Sequence, residues 1–391
     1  MMLRRRTALL GFTSVLAFGG ASLSVAAAAT QKRFVLIILR GALDGLTAVP
    51  PYGDKNLSGW RGSLLQPEPG REGGVLDLGG TWGLHPALAQ IHALYAAGQA
   101  LPVHAVAGPN RSRSHFEAQD MLECGADHRM DSGWMNRLAA ILPAGRTSDN
   151  AVALGQNMPL VMRGPAPVGS WGRDVVPTPT GEFYMRLLAL HEGDSLTGGP
   201  LADGLRERTF GSHALEGTPG TGGDAPFIAL ARTGGRLLAN PDGPRLATLE
   251  LDGWDTHSSQ TPRLARTLQL LDKGVAALKD GLGANWTDTA VLIATEFGRT
   301  VRVNGTGGTD HGTGTIAFVL GGGVSGGRVQ ANWPGLAEAN LFDQRDLQPT
   351  LDLRSLAKGV LGPQFNLSAA ELDKIFPDSA AASPLTGIFR A

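Results

Sequence analysis

The chain of 391 residues has one cysteine, Cys124, few aromatic residues (6%) and no excess charge of either sign, since 34 Lys and Arg face 35 Asp and Glu. The lone thiol excludes an internal disulfide and any metal cluster built on CxxC pairs. Near-neutrality excludes a general nucleic-acid binder, which needs a strong basic field. After residue 30 there is no apolar run of membrane-spanning length, so no stable span is expected in the mature chain. Glycine, by contrast, is abundant at 55 residues. It follows no GxY period, so the excess belongs to loops, as where Gly321, Gly322, Gly323, Gly326 and Gly327 crowd together. Apolar material at 42% and charge at 18% suffice for a large core and exclude wholesale disorder. The length fits one large domain with an insertion, or two domains.

Residues 1–29 form a leader. Arg4-Arg5-Arg6-Thr7 precedes a moderately apolar stretch that ends in Ala27-Ala28-Ala29, the pattern of a cleavable secretory signal. Paired arginines and a middle diluted by Gly11, Thr13, Ser14, Gly19 and Gly20 favour twin-arginine export, with that machinery as a partner and the periplasm or exterior as destination. A permanent anchor is the competing reading.

In the mature chain, Arg33–Leu39 is an almost wholly apolar run, suited to a strand covered on both faces. Similar runs are Leu101–Val106, Leu246–Leu251, Ala290–Ala294 and Thr315–Leu320. Between them lie helical patterns, clearest over Thr261–Leu282, where Leu264, Leu268, Leu271, Val275 and Leu278 recur at three- and four-residue steps. Another begins near Ser114. Strands alternating with helices predict an α/β domain over residues 30–391 with a mostly parallel central sheet flanked by helices. Residues 143–243 are loose and rich in glycine and proline, with short helical pieces around Tyr184–Leu190 and Leu205–Thr209. They read as an insertion or cap. Near the C terminus, Ser368-Ala369-Ala370-Glu371 has the form of a capping box.

Ligands of parallel sheets bind beyond the carboxyl ends of the strands, and the polar clusters sit there. Asp44 follows the first run. Arg113-Ser114-His115-Phe116-Glu117 follows the second. Asp252-Gly253-Trp254-Asp255-Thr256-His257 ends the third, Glu296-Phe297-Gly298-Arg299 ends the fourth, and Asp310-His311 stands just ahead of the fifth. Each has a plainer reading: Asp44-Gly45 as a turn, Ser114 as a helix cap with Glu117 as its box partner, Arg113 and Arg299 as rim arginines in salt bridges. Carboxylates with two imidazoles and no thiolate suit a divalent cation such as Zn²⁺, Mn²⁺, Ca²⁺ or Mg²⁺. Arg113 and Arg299 are placed to grip a phosphate or sulfate.

On Leu39–Leu46, Arg113–Asp120, Gly253–His257, Glu296–Thr300 and Thr309–Gly312, together with the leader, the sequence resembles the secreted bacterial DUF1501 family. That family is similar in turn to the alkaline phosphatase and sulfatase superfamily. The resemblance implies an alkaline-phosphatase-like fold and a metal-assisted hydrolytic site holding one or two ions. It puts Asp44 at a first-strand metal aspartate and Ser114 near the hydroxyl nucleophile, with Ser112 as a competitor. Asp255 and His257 stand for an aspartate–histidine pair, with Asp252 as an alternative ligand. Glu296 replaces the next aspartate, His311 matches the late histidine, and Asp310 is an extra carboxylate. Phe297 stands where a second histidine is usual, which disfavours a two-metal centre. His115 is assigned to substrate positioning or proton transfer. The expected function is hydrolysis of a small anionic phosphate or sulfate ester. The alternative is a secreted, non-catalytic ligand- or partner-binding protein that keeps the fold.

Overall fold

A computed structural model describes residues 31–143, 150–172, 181–191, 194 and 225–390. The leader and Leu205–Thr209 lie outside the described residues. Residues Gln31–Ala391 make one compact unit.

Among the described residues ten strands are formed: β1 (Arg33–Arg40), β2 (Leu76–Asp77), β3 (Gly83–Leu84), β4 (Ala100–Ala107), β5 (Ala151–Leu154), β6 (Gly169–Trp171), β7 (Leu246–Asp252), β8 (Thr289–Thr295), β9 (Thr315–Leu320) and β10 (Leu351–Asp352). β2 and β3 pair only with each other, and the other eight form one sheet in the order β10-β4-β9-β8-β1-β7-β5-β6. β1 lies centrally, in parallel register with β7 (Phe34 opposite Leu246) and with β8 (Phe34 opposite Ala290). All pairings in this sheet are parallel except those of β9, which runs antiparallel to both β4 and β8. The expected α/β architecture with a mostly parallel sheet is therefore what the chain adopts.

Side chains on a strand alternate between faces, and β1 shows what that requires here. Val35, Ile37 and Leu39 enter one apolar core with Leu264, Leu268 and Leu271 of the helix Gln260–Leu282 and with Ile91 of the helix Ala89–Ala96. Phe34, Leu36 and Ile38 enter a second core with Trp134, Leu138, Leu356, Val360 and Phe376. Both faces are covered by helices, so the strand is apolar throughout. The capping box at Ser368 and Glu371 is formed, with both reciprocal bonds in place.

One expectation needs revision. Part of 143–243 is not an excursion from the domain, because β5 pairs with β7 and carries β6 as the sheet's outer strand. Strands of four and three residues are too short to announce themselves by periodicity. The helix Pro226–Ala239 packs closely against Gln260–Leu282, and glycine makes the approach possible. A Cβ on Gly235 would stand 2.4 Å from the Leu278 carbonyl oxygen and 2.9 Å from Gly281 Cα. Replacing Gly235 by Ala should therefore destabilise the protein by about 1–3 kcal/mol through overpacking, outweighing a helix-propensity gain of about 1 kcal/mol. A denaturant titration checks it, and an unchanged or raised midpoint would refute the close-packing account.

Candidate metal centre

The antiparallel course of β9 explains why a cluster ahead of a strand joins clusters that follow strands. β9 starts at the rim where β1, β4, β7 and β8 end, so Asp310 and His311 arrive among the other loops. A bridge between Arg299 and His311 ties the segment after β8 to the segment before β9. Gly41, with φ of +117°, passes so close to the β7 loop that a Cβ there would lie 2.6 Å from the Asp255 nitrogen. Only glycine fits this crossing.

Four side chains meet at this rim. His115 Nε2 and His257 Nε2 each lie 3.0 Å from His311 Nε2. Asp255 Oδ1 is 3.0 Å from His257 Nε2, 3.3 Å from His311 Nε2 and 3.7 Å from His115 Nε2. The donor atoms of His115, Asp255 and His311 all lie within 4.8 Å of one another, and His257 flanks that trio through Asp255 and His311.

The outer ring nitrogens decide the chemistry. His115 Nδ1 is 2.8 Å from Glu296 Oε1, His257 Nδ1 is 3.1 Å from Asp310 Oδ1, and His311 Nδ1 is 3.0 Å from the Arg113 carbonyl oxygen. Carboxylates and carbonyls only accept, so each Nδ1 carries the hydrogen and each neutral ring turns an Nε2 lone pair inward. Three lone pairs and a carboxylate oxygen therefore converge, and among the described residues the only donor from outside the group is Arg299 Nη1, 2.9 Å from Asp255 Oδ1. Around an ion with bonds of about 2.0–2.1 Å, tetrahedral ligands would stand about 3.3–3.4 Å apart. The contacts that His311 and Asp255 make with each other and with His115 and His257, 3.0 to 3.7 Å, bracket that spacing. The residues present fit a divalent cation.

Electrostatics follow the same geometry. Glu296 is buried, which opposes ionisation, but bonds from His115, Gln119 and Thr295 outweigh this and hold its carboxyl below the usual range. The backbone N–H of Gly41 donates to it as well. Burial also opposes ionisation of Asp255, yet the hydrogen bond and charge of Arg299 lower its pKa. Asp310 is lowered mainly by the Asn304 amide, with help from His257. The bond to Glu296 raises His115, whereas burial and the neighbouring His115 lower His311. Phe297 makes an apolar floor, its ring 4.9 Å from His115 and 5.3 Å from His311.

Not every expected site residue arrives in the same role. Asp44 is buried in an ion pair with Arg61 and caps the turn Gly45–Ala48. Its carboxylate also accepts from Thr47 and Gln260, which leaves it no part in the cluster. Asp252 is exposed at the end of β7 and outside the group. Glu296 and Asp310 orient histidines from behind. Arg299 has a fully buried side chain turned on Asp255, Thr309 and Gly41, so it faces no solvent from which a substrate could approach. Arg113 pairs with Asp343 and Asp346 at 2.7 Å each. Its backbone takes a left-handed φ of 59°, uncommon for arginine, in the turn whose carbonyl serves His311. Ser114 is the N-cap of the helix His115–Cys124, but its hydroxyl makes no capping bond, so the expected box with Glu117 is not formed.

Several contributors had a weaker signal. His115, Gln119 and Glu123 recur at four-residue steps, one polar helix face. Gln119 reaches Glu296 at 3.0 Å, and both Gln119 and Glu123 take Arg40. Gln260, Thr309 and Asp346 carried no signal, because a lone polar residue in a sequence does not reveal burial. A second group, Asp127, His128 and Asp378, is fully on the surface.

In the mostly parallel α/β fold the acceptor-lined cluster lies on the carboxyl rim, where ligands of parallel sheets bind. Residues 229–376 match the family model described as "Protein of unknown function (DUF1501)", the family to which the motifs pointed. No curated protein matches the sequence. Among solved structures the chain is similar to Ps i-CgsB in complex with k-i-k-neocarrahexaose, at 11% identity over 91% of this chain and 77% of that one, with a TM-score of 0.44. It is similar to the lipoteichoic acid synthase LtaP from Listeria monocytogenes at 9% identity over 79% and 68% of the two chains, TM-score 0.34. It is also similar to the C-terminal periplasmic domain of EcEptC from Escherichia coli in complex with Zn, at 10% identity over 75% and 74%, TM-score 0.30.

In metal-free protein, the His115 imidazole should titrate above the ordinary histidine value and His311 below it. Glu296→Gln, which keeps the shape but removes the charge, should bring His115 down. Ring-proton NMR titrations read both, and a His115 pKa indifferent to this change would refute the Glu296 account.

Proposed function

We propose that the protein is an exported, metal-dependent hydrolase of phosphate or sulfate esters that works with one divalent ion. The observation that supports this most is the inward convergence of three Nε2 lone pairs and one carboxylate oxygen while every Nδ1 is held by an acceptor. In this reading His115, Asp255, His257 and His311 hold the ion, with Glu296, Asp310 and the Arg113 carbonyl orienting the rings. Three nitrogens and one oxygen favour Zn²⁺ over Ca²⁺ or Mg²⁺, with Mn²⁺ next. A bound ion supplies Lewis acidity, lowering the pKa of a nearby hydroxyl and stabilising negative charge.

The chain's own groups carry the rest. Ser114 is extended, with φ of −95° and ψ of 122°, and immediately precedes His115 at a helix start. Its uncapped hydroxyl is the nucleophile, and the unpaired N–H groups of that first turn favour an anionic ester. Ser114 Oγ gives up its proton to solvent and bonds to phosphorus or sulfur as the alkoxide departs with its bonding pair and takes a proton from solvent; water then hydrolyses the seryl ester. Phe297 keeps water from the inner side of the two rings it touches. Among the described residues no helix is long and apolar enough to cross a membrane. The leader at 1–29 supports delivery by twin-arginine export.

Purified protein should contain about one equivalent of zinc or manganese and hydrolyse an aryl phosphate or aryl sulfate, with loss of turnover in chelator and recovery on adding the ion. Ser114→Ala should lower kcat at least about a thousand-fold while keeping the metal. Protein that binds the ion but turns over no ester would favour a ligand-binding role. Normal turnover by Ser114→Ala would remove Ser114 from the mechanism.

A further inference from the structure

We infer that Arg299 is the positioning residue for Asp255, held in place by a buried polar chain that ends on the Asp44–Arg61 ion pair. This rests on the reading of the cluster as a cation site. Arg299 Nε donates to the Thr309 hydroxyl at 2.9 Å, and Nη2 donates to the Thr309 carbonyl at 2.6 Å. Its Nη1 reaches Asp255 Oδ1 at 2.9 Å and the Gly41 carbonyl at 3.2 Å. The Thr309 hydroxyl in turn donates to Gln260 Oε1 at 2.7 Å, where Thr256 also donates at 2.9 Å. With its oxygen so engaged, the Gln260 amide nitrogen faces the other way and donates to Asp44 Oδ2, which Arg61 also binds. Arg61, Asp44, Gln260, Thr309 and Arg299 are each no more than 1% exposed.

Each nitrogen of the Arg299 guanidinium meets an acceptor, Thr309 at Nε and Nη2 and Asp255 with Gly41 at Nη1, so the group is held in one orientation. Asp255, unlike the buried groups behind it, is 44% exposed on its side chain. Left alone, such a carboxylate samples several rotamers, and binding an ion would have to order it. A guanidinium that stays charged at all working pH, fixed by three acceptors besides Asp255, orders it beforehand. Lysine at this position offers a point charge without the fork and cannot reach Thr309, Gly41 and Asp255 together. The place of Arg299 beside the polar clusters suggested a substrate clamp, and the resemblance put Asp44 at a metal ligand. Burial assigns both instead to the support behind Asp255.

The test compares cobalt binding by the full-length wild type, Arg299→Lys, Thr309→Val and Thr309→Ser, with chelator competition for affinity, the Co²⁺ visible spectrum for geometry and circular dichroism for folding. Arg299→Lys should weaken cobalt binding about 10–100-fold, the usual range for losing a ligand's supporting partner. Thr309→Val should weaken it and alter the spectrum, whereas Thr309→Ser, which restores the hydroxyl, should return both to wild type. The threonine pair decides the matter alone if Arg299→Lys does not fold. Folded Thr309→Val with wild-type affinity and spectrum would overturn the positioning role and leave the cation site standing. A wild type that takes up no cobalt would overturn both.

Discussion

Three imidazole nitrogens turned toward one carboxylate oxygen, with His115 and His257 each touching His311 and Asp255 at 3.0 to 3.7 Å, is an arrangement that proteins otherwise avoid. Like lone pairs repel, and taking them out of water without a partner costs free energy. In the metal-free protein a proton on His115 Nε2 would relieve one contact, and the bond to Glu296 raises the pKa of that ring. It cannot relieve them all. A divalent cation satisfies every one at once, which is why the loops, the left-handed turn at Arg113 and the buried Arg299 make physical sense together.

The fold carries this cluster because the sheet ends in one place. β1, β4, β7 and β8 deliver their loops to one rim, and β9, running the other way, begins there. The strands are covered on both faces by apolar helices, so the loops leave a rigid base. Sites supported by such elements hold ligand geometry better than sites on free loops. Behind the rim, polar groups that face no solvent are paired with each other, as Asp44 with Arg61 and Glu296 with four donors. They act on the cluster by orienting it.

The position of Phe297 bears on how many ions the rim can hold. It follows Glu296 directly and offers no ligand atom, and its ring packs on His115 and His311. Glu296 and Asp44, the carboxylates left for a second ion, are both already committed to protein donors. Two carboxylates several contacts apart, each neutralised or hydrogen-bonded, make a poor ion site, so the donor set favours a single centre.

The sequence by itself determined the framework. Its five long apolar runs became β1, β4, β7, β8 and β9, and the three- and four-residue steps of Leu264 to Leu278 became the helix Gln260–Leu282, because burial imposes its period on the chain directly. It also marked Asp255, His257 and His311, since polar residues just beyond buried strands have few packing reasons to be there. Only the tertiary structure separated the residues that meet in the cluster from those packed behind it. Asp44 and Arg299 are as conspicuous in sequence as Asp255, but which way a carboxylate or guanidinium faces depends on partners such as Arg61, Thr309 and Gln260. Those partners come from other loops and cannot be paired by spacing. Likewise β9's direction, which brings His311 to His115 and His257, is a property of how strands pair and leaves no trace in the run Thr315–Leu320.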